Sequence, residues 1–488
     1  MQQISVILTI LLLCLSAPLR AQNNAEEQSA VNAVDLTPCR HLMQTVVLSY
    51  QELARFLPKT FKPISTVATH RLIALRPEDC QKNATMRVIE RSIKLHTGKI
   101  GILLPLSQWP IALRQAVTEQ INELVQSLGA DPAQTLIWLD TAGPQSRVEA
   151  QLAQLVFMNH IGVLVGGLVQ AEAQILGRWA DRLQIPALIL NRRMDKFKSK
   201  QVFYLGPDPR LLASSLSRHM LSRGLRRIAI IMPQSSRDGP LVDSFISQAQ
   251  HLRLTVAGPY LYNPNDFTTI DAVLRKIFHI DDPSRNDEQL DLVRRLKDKA
   301  QDEGMPFDSR NVVLPAAIDI DALVIVDHFK NVRHLAKALA YYGVKRLPLL
   351  GVPKWRAFEL VDGNEEILNG AVFVDYIGSY KKLPYGISGT PLGSEYFVPS
   401  SEVDGIDLKL LVSHAVYAAF QAVATPRLSR PSLFRRLEAA KPPSSEFFAV
   451  PTLFRPDHIA YWPSFLFSVG DGTIQQMQMW NPVLSNSR

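Results

Sequence analysis

Cysteine is scarce in this sequence, with three residues among 488, at positions 14, 39 and 80. A scaffold held together by several disulfides is therefore excluded. Cys14 lies in the apolar run 4–17, which has the length of a signal peptide and is too short to span a bilayer comfortably. We predict a signal peptide over residues 1–21. Cys39 and Cys80 then remain either as a disulfide pair in an oxidising compartment or as two unrelated buried thiols.

The chain also lacks a second long apolar run, so no transmembrane segment is predicted after the signal peptide. A lipid anchor is not predicted either, because a bacterial lipoprotein signal needs a small residue before its cysteine and Leu13 precedes Cys14. We expect a secreted protein.

The motifs of nucleotide, metal and covalent chemistry are missing. Gly166-Gly167 lacks the third glycine of a dinucleotide-binding turn, and no phosphate-binding loop of the Walker type occurs. His328 and His334 are six residues apart, which does not suit one helical face, and no cysteine or carboxylate lies at zinc-ligand spacing. The segment 379–382 matches Ser-x-x-Lys, but the companion motifs of serine acyl enzymes are absent. We predict no metal site, no cofactor and no catalytic residues.

Acidic residues are outnumbered, with 53 Lys and Arg against 45 Asp and Glu and a net charge of +8. This excess favours anionic partners, but no basic run interleaved with aromatics indicates nucleic-acid binding. Hydrophobic residues make up 47% of the chain, enough for two or three lobes with cores of their own.

What the sequence does contain is a repeated alternation of apolar runs and amphipathic segments. The run 100–104, closed by Pro105, is typical of a strand buried on both faces of a parallel sheet. Further strands are predicted at 135–139, 163–166, 187–190, 228–232, 255–256, 322–326 and 347–350. Helices are predicted between them, at 111–128, 147–158, 171–183, 211–223, 241–252, 269–278 and 332–341. Two such series predict an α/β protein with two doubly wound parallel-sheet lobes and a cleft between their strand ends.

Two segments stand outside this alternation. Residues 22–97 form a leader and a short helical section that we expect to pack on the main body. Residues 281–315 form a charged insertion in the second series, where Leu290, Val293 and Leu296 make a helical stripe. We predict a solvated helix within that insertion.

Polar residues follow several of the predicted strands, at the edge where open α/β sheets hold ligands. For each of them a helix cap or turn residue is an equally good interpretation. The candidate ligand-binding residues are Ser107, Gln170, Asn191, Arg192, Ser235, Asp327 and Tyr376.

A family resemblance rests on the strands 100–107, 163–168 and 185–191, the last ending at Asn191. With the segments 339–349 and 369–375, they resemble type I periplasmic binding proteins, and within them the LppC/LpoA-like branch of penicillin-binding-protein activators. The tail 465–474 resembles the closing strand of that fold.

The family topology implies that lobe 1 comprises 98–207 plus 376–440 and lobe 2 comprises 208–375 plus 441–488. One departure concerns the loop 167–171, which lacks the hydroxyls that amino-acid-binding members present there. The usual grip on an amino-acid carboxylate is therefore not expected.

The resemblance implies a non-catalytic protein of the periplasm that regulates peptidoglycan synthesis by binding a synthase, the penicillin-binding protein. The alternative is a substrate-binding protein of an ABC importer, which would hand an amino acid or similar small polar solute to a permease after closing over the cleft.

Overall fold

The computed structural model describes residues 98–193, 199–236, 238–362, 366–378, 408–425, 430–443, 450–470 and 472–480. The predicted signal peptide, the section 22–97, Cys39 and Cys80 lie outside the described residues, as does the segment 379–382. The described residues fall into two compact units.

Unit 1 is built on a five-stranded, wholly parallel sheet with the strand order β2-β1-β3-β4-β5. Its strands are β1 (Ile100–Leu104), β2 (Leu136–Asp140), β3 (Val163–Gly166), β4 (Ala187–Ile189) and β5 (Val202–Tyr204). Its first helices are α1 (Ile111–Ser127), α2 (Gln145–Ala153) and α3 (Gln170–Leu183), α2 continuing as a π-helix over Gln154–Met158. All residues of β1, β3, β4 and β5 are buried, as strands covered by helices on both faces must be.

Unit 2 contains a seven-stranded sheet with the order β12-β11-β10-β9-β8-β6-β7. Its helices are α4 (Pro209–Ser222), α5 (Gly239–His251), α6 (Phe267–Ile277), α7 (Asn286–Asp302) and α8 (Phe329–Tyr341). Its strands are β6 (Arg227–Pro233), β7 (Thr255–Tyr262), β8 (Ala322–Ile325), β9 (Leu349–Gly351), β10 (Val372–Asp375), β11 (Ser464–Gly470) and β12 (Thr473–Trp480). Strands β6 to β10 run parallel, whereas β11 and β12 are antiparallel to their neighbours.

The chain returns to unit 1 after β10. Helices α9 (Leu408–Val423) and α10 (Arg430–Glu438) belong to it, apart from the first three residues of α9. Residues 451–461 also belong to unit 1, because the Tyr204 amide donates to the His458 carbonyl at 2.8 Å and the Ala460 amide donates to the Tyr204 carbonyl at 2.8 Å. Those contacts place 451–461 beside β5.

The α/β fold class with two parallel-sheet lobes is confirmed. The insertion does contain a helix, α7, and none of its residues is buried. Three details differ from the sequence prediction. Strand β5 was not predicted, β7 extends to Tyr262, and the tail 465–474 is not one strand but most of β11, a turn and the start of β12. Gly472 makes that turn with a φ of 69°, a conformation that glycine adopts without steric cost.

Candidate functional site

The carboxyl ends of the unit 1 strands lie on one edge of the sheet because all five strands are parallel. Ser107 lies at this edge in a single helical turn after β1, exposed, and its amide donates to Asp140 Oδ1 at 3.2 Å. Gln170 is the exposed first residue of α3, which follows β3. Both residues therefore present polar groups at the edge that sequence analysis predicted.

Asn191 lies at the same edge after β4 but is buried. Its Nδ2 donates to the Leu168 carbonyl at 3.0 Å and its Oδ1 accepts from the Arg192 amide at 2.7 Å. The Asn191 side chain thus joins the loop after β3 to the loop after β4.

Arg192 is half-buried next to Asn191, and a Cβ on Gly206 would lie 2.2 Å from the Arg192 amide nitrogen. Close backbone packing therefore requires glycine at position 206.

Sequence reasoning missed a second group at this edge, centred on Asp140 at the end of β2. Hydrogen bonds from Ser107 and from the Ala142 amide at 3.1 Å, together with the charge of Arg147, outweigh the opposing effect of burial and hold the Asp140 pKa below its usual range. Arg147 Nη2 lies 3.5 Å from Asp140 Oδ2, and its Nη1 donates to the Ala142 carbonyl at 2.6 Å. Asp140 is thus an ionised and well-partnered carboxylate.

Glu172, in the first turn of α3, is the opposite case. Burial raises the pKa of its carboxyl, and the negative charge of Asp140 raises it further, while the Thr141 hydroxyl opposes the rise. Its Oε2 is buried without a hydrogen-bond partner among the described residues. The same holds there for Thr141 Oγ1 and for Gln151 Oε1, although Gln151 Nε2 donates to the Asp140 carbonyl. This edge therefore contains three unpartnered oxygens.

The corresponding edge of the unit 2 sheet begins with the turn after β6. Ser235 is exposed in this turn. The neighbouring Ser236 hydroxyl donates to Asp238 Oδ2 at 2.7 Å, and Lys354 Nζ, after β9, donates to the same oxygen at 2.8 Å. Asp238 is buried, so this ion pair is shielded from solvent on the side of the carboxylate.

Asp327 follows β8 and is buried. The Tyr262 hydroxyl, at the end of β7, donates to its Oδ2, and the His328 amide donates to its Oδ1 at 2.6 Å. Burial raises the Asp327 pKa, while these hydrogen bonds and the charge of Lys354 oppose the rise. His328 caps α8, and burial together with Lys330 and Lys354 lowers its pKa. Asp327 is therefore built into the unit rather than presented at its surface.

Tyr376 is also buried, next to the most enclosed ion pair of unit 2. Arg356 Nε donates to Oδ2 of Asp375, whose side chain is 1% exposed, and the Ile377 amide donates to its Oδ1 at 3.2 Å. The guanidinium lies 5.0 Å from the centre of the Phe467 ring. Burial raises the Asp375 pKa, and the positive charge of Arg356 opposes that rise. The pair ties the end of β10 to the loop after β9.

The predicted residues thus fall into two sets. Ser107, Gln170, Asn191 and Arg192 share the edge of unit 1, while Ser235, Asp327 and Tyr376 share that of unit 2. Within the described ranges, no cluster of three or more His, Cys, Asp or Glu side chains is arranged to hold a metal ion. No helix among those residues combines the length and hydropathy needed to cross a membrane.

Two units that each contain a parallel sheet match the fold of type I periplasmic binding proteins. Residues 112–278 match the family model described as periplasmic binding protein, which covers part of unit 1 and part of unit 2. A comparison with curated proteins finds no match.

Solved structures of similar fold include a putative branched-chain amino acid ABC transporter protein of Rhodospirillum rubrum. It has 14% identity and a TM-score of 0.51 over 78% of this chain and 99% of its own. A leucine-binding protein of Thermotoga maritima matches with 14% identity, a TM-score of 0.48 and coverage of 79% and 99%. A branched-chain amino acid binding protein of Streptococcus pneumoniae, in complex with isoleucine, matches with 12% identity, a TM-score of 0.49 and coverage of 80% and 100%. At these identities the similarity concerns the fold, and the finer resemblance to penicillin-binding-protein activators stays a prediction.

Proposed function

We propose that this chain is a non-catalytic solute-binding protein of the periplasm, which captures a small polar molecule at the carboxyl ends of its parallel strands and delivers it to an ABC permease. The observation that carries the proposal is the concentration of polar side chains at those edges in both units, since ligands of open α/β sheets bind there. The family match over 112–278 supports the same class of protein.

The candidate residues take two roles in this proposal. Ser107, Gln170 and Arg192 of unit 1 are exposed or half-buried and would contact the solute directly, and Ser235 is the exposed candidate at the edge of unit 2. The buried Asn191, Asp327 and Tyr376 would instead hold the surrounding loops in place. The site would thus have flexible polar contacts on a rigid, hydrogen-bonded support.

A thermal-shift panel of amino acids, amines, carboxylates and sugars tests the proposal with the full chain. A captured solute raises the midpoint of unfolding saturably, because at a concentration of 100 Kd it stabilises the folded state by about 2.7 kcal/mol. Ser107→Ala should weaken that effect, whereas the control Ser127→Ala, in the last turn of α1, should not. A panel without any saturable shift would refute solute capture.

Regulation of a peptidoglycan synthase is a second candidate, favoured by helix α7. This helix has 17 residues, none of them buried, and Leu290 and Leu296 are exposed on it. An exposed apolar stripe of this kind suits a protein partner. If the candidate is right, the chain retains a penicillin-binding protein in a pull-down, and Leu290→Ser with Leu296→Ser releases it. A synthase that is not retained by the unmodified chain would exclude this function.

A further inference from the structure

The edge of unit 1 contains buried oxygens that no donor among the described residues satisfies. Thr141 is 2% exposed, and its hydroxyl lies close enough to the Glu172 carboxylate to influence the pKa of that group. Neither Thr141 Oγ1 nor Glu172 Oε2 completes a hydrogen bond within the described residues. A buried acceptor without a donor costs about 1–3 kcal/mol, so this arrangement calls for a missing partner.

The chemistry of that partner follows from the unpartnered atoms themselves. The unpartnered atoms are a carboxylate oxygen and the amide oxygen Oε1 of Gln151, which only accept hydrogen bonds, and the Thr141 hydroxyl, which can accept as well as donate. Arg147, the cation that contacts Asp140, already donates to the Asp140 carboxylate and to the Ala142 carbonyl. A group with several N–H donors, a positive charge and no acceptor matches this set, and a primary ammonium is such a group.

We propose that Glu172 and Thr141, with the neighbouring charge of Asp140, form a cation subsite that accepts a primary ammonium group of the captured solute. The subsite is not sealed in the core, because Glu172 is half-buried and the Asp140 side chain is 23% exposed. Ser107, whose amide donates a hydrogen bond to Asp140, is exposed and adds a polar group next to the subsite. The inference rests on the proposed solute-binding function and specifies the solute as a cationic amine.

The test compares 1,4-diaminobutane with 1,4-butanediol, a neutral molecule of similar size, by calorimetric titration of the full chain. The diamine should bind saturably and the diol should not. Glu172→Gln keeps the size of the side chain and removes its charge. We therefore expect the affinity for the diamine to fall by a factor of about ten or more. Thr141→Val, which removes only the hydroxyl, should weaken binding in the same direction.

The matched control is Glu149→Gln. Glu149 Oε1 already accepts from Arg178 Nη2 at 3.2 Å and from Trp179 Nε1 at 3.4 Å, so this change should leave diamine binding intact. Thermal unfolding of each variant without ligand confirms that it folds. Equal binding of the diamine by Glu172→Gln and the unmodified chain, or equal binding of the diol, would overturn the subsite.

Further results would distinguish an ammonium subsite from a metal site, and a failure of the subsite from a failure of the proposed function. Oxygen ligands also suit Ca²⁺, so saturable binding of CaCl₂ that Glu172→Gln abolishes, without diamine binding, would replace the ammonium by a metal ion and overturn the proposal. A panel that finds a neutral or anionic solute but no amine would refute the subsite and leave the proposed function standing. A panel that finds no solute would refute both.

Discussion

The edges of the two sheets differ in the partners that their buried carboxylate oxygens have. In unit 2, Asp238 is matched by Lys354, Asp327 by the Tyr262 hydroxyl and Asp375 by Arg356. In unit 1, Glu172 has a buried oxygen without any donor among the described residues. Within the described residues, each buried carboxylate of unit 2 thus has a side-chain donor, although Arg356 Nη2 is itself buried without a partner, whereas Glu172 of unit 1 has a buried oxygen that lacks a donor.

This difference also concerns the balance between stability and binding. A carboxylate that already holds its cation strengthens the fold and has little left to offer a ligand. A carboxylate without one lowers stability until a ligand supplies the missing donor. Four substitutions test the comparison, and we take them from the largest expected effect to the smallest.

Arg356→Leu breaks the most enclosed pair of unit 2. Asp375 would remain buried without its cation, and removing one partner of such a pair costs about 3–5 kcal/mol. The loss is measured by urea unfolding followed through tryptophan fluorescence. The control Arg310→Leu breaks the pair with Asp308, in which the arginine is 88% exposed, and should cost less than about 1 kcal/mol. Equal losses for the two variants would contradict the distinction.

Asn191→Ala tests a buried side chain of unit 1 whose Nδ2 and Oδ1 both form hydrogen bonds. It removes two hydrogen bonds and leaves the Leu168 carbonyl and the Arg192 amide without partners, so we expect a loss of about 2–3 kcal/mol. Asn191→Asp keeps the acceptor for Arg192 but loses the donor to Leu168, and should fall between Ala and the unmodified chain. Chemical denaturation measures the free energy of unfolding of the three proteins, which should decrease from the unmodified chain through Asn191→Asp to Asn191→Ala. A different order would refute the roles assigned to the two hydrogen bonds.

Tyr262→Phe removes only the hydroxyl that donates to Asp327. The expected loss is about 1–2 kcal/mol, because a buried carboxylate then lacks one of its donors. Tyr260→Phe, two residues earlier on β7, serves as the control, and urea midpoints of both variants are compared. If both changes have the same effect, the Tyr262–Asp327 bond does not stabilise unit 2.

Glu172→Gln should have the smallest effect and the opposite sign, a gain of up to about 1 kcal/mol at neutral pH in the absence of solute. Because burial raises the Glu172 pKa in the folded protein, protonation favours folding. That contribution is present below the unfolded pKa and is lost as the pH rises through the folded pKa. The gain from the substitution should therefore grow with pH across this interval, as measured by unfolding at a series of pH values. A loss of stability at neutral pH would mean that Glu172 already has a partner.

Most of the fold could be predicted from the sequence because its strands are continuous apolar runs. Strand β3 has the predicted bounds, and α1 ends one residue before its prediction. Strand β5 is only three residues long, too short for a periodic pattern. The hairpin of β11 and β12 was missed although the sequence contains a turn signal, Gly470-Asp471-Gly472, and β12 alternates apolar and polar residues after it.

The site could be predicted as a place but not in its chemistry. The strand ends identified the edges at which the candidate residues lie, since parallel strands bring their carboxyl ends together; that a ligand binds there stays a prediction. Sequence pattern could not distinguish the exposed Ser107 from the buried Asn191 and Asp327, because burial there depends on loops folding back. Glu172 was missed because it lies inside a predicted helix, although an acidic residue in the first turn of a helix that follows a strand is a recognisable signal.

The pairing of Tyr204 with residues 458–460 has a consequence for synthesis. About 250 residues separate the edge strand β5 from the segment that covers it. At roughly 5–20 residues per second, that segment emerges from the ribosome on the order of ten to fifty seconds later. During this interval the hydrogen-bonding groups at the free edge of β5 are open to neighbouring chains, which is the stage at which sheet edges aggregate. Unit 1 thus cannot complete the edge of its sheet until a segment made about 250 residues after β5 has been synthesised.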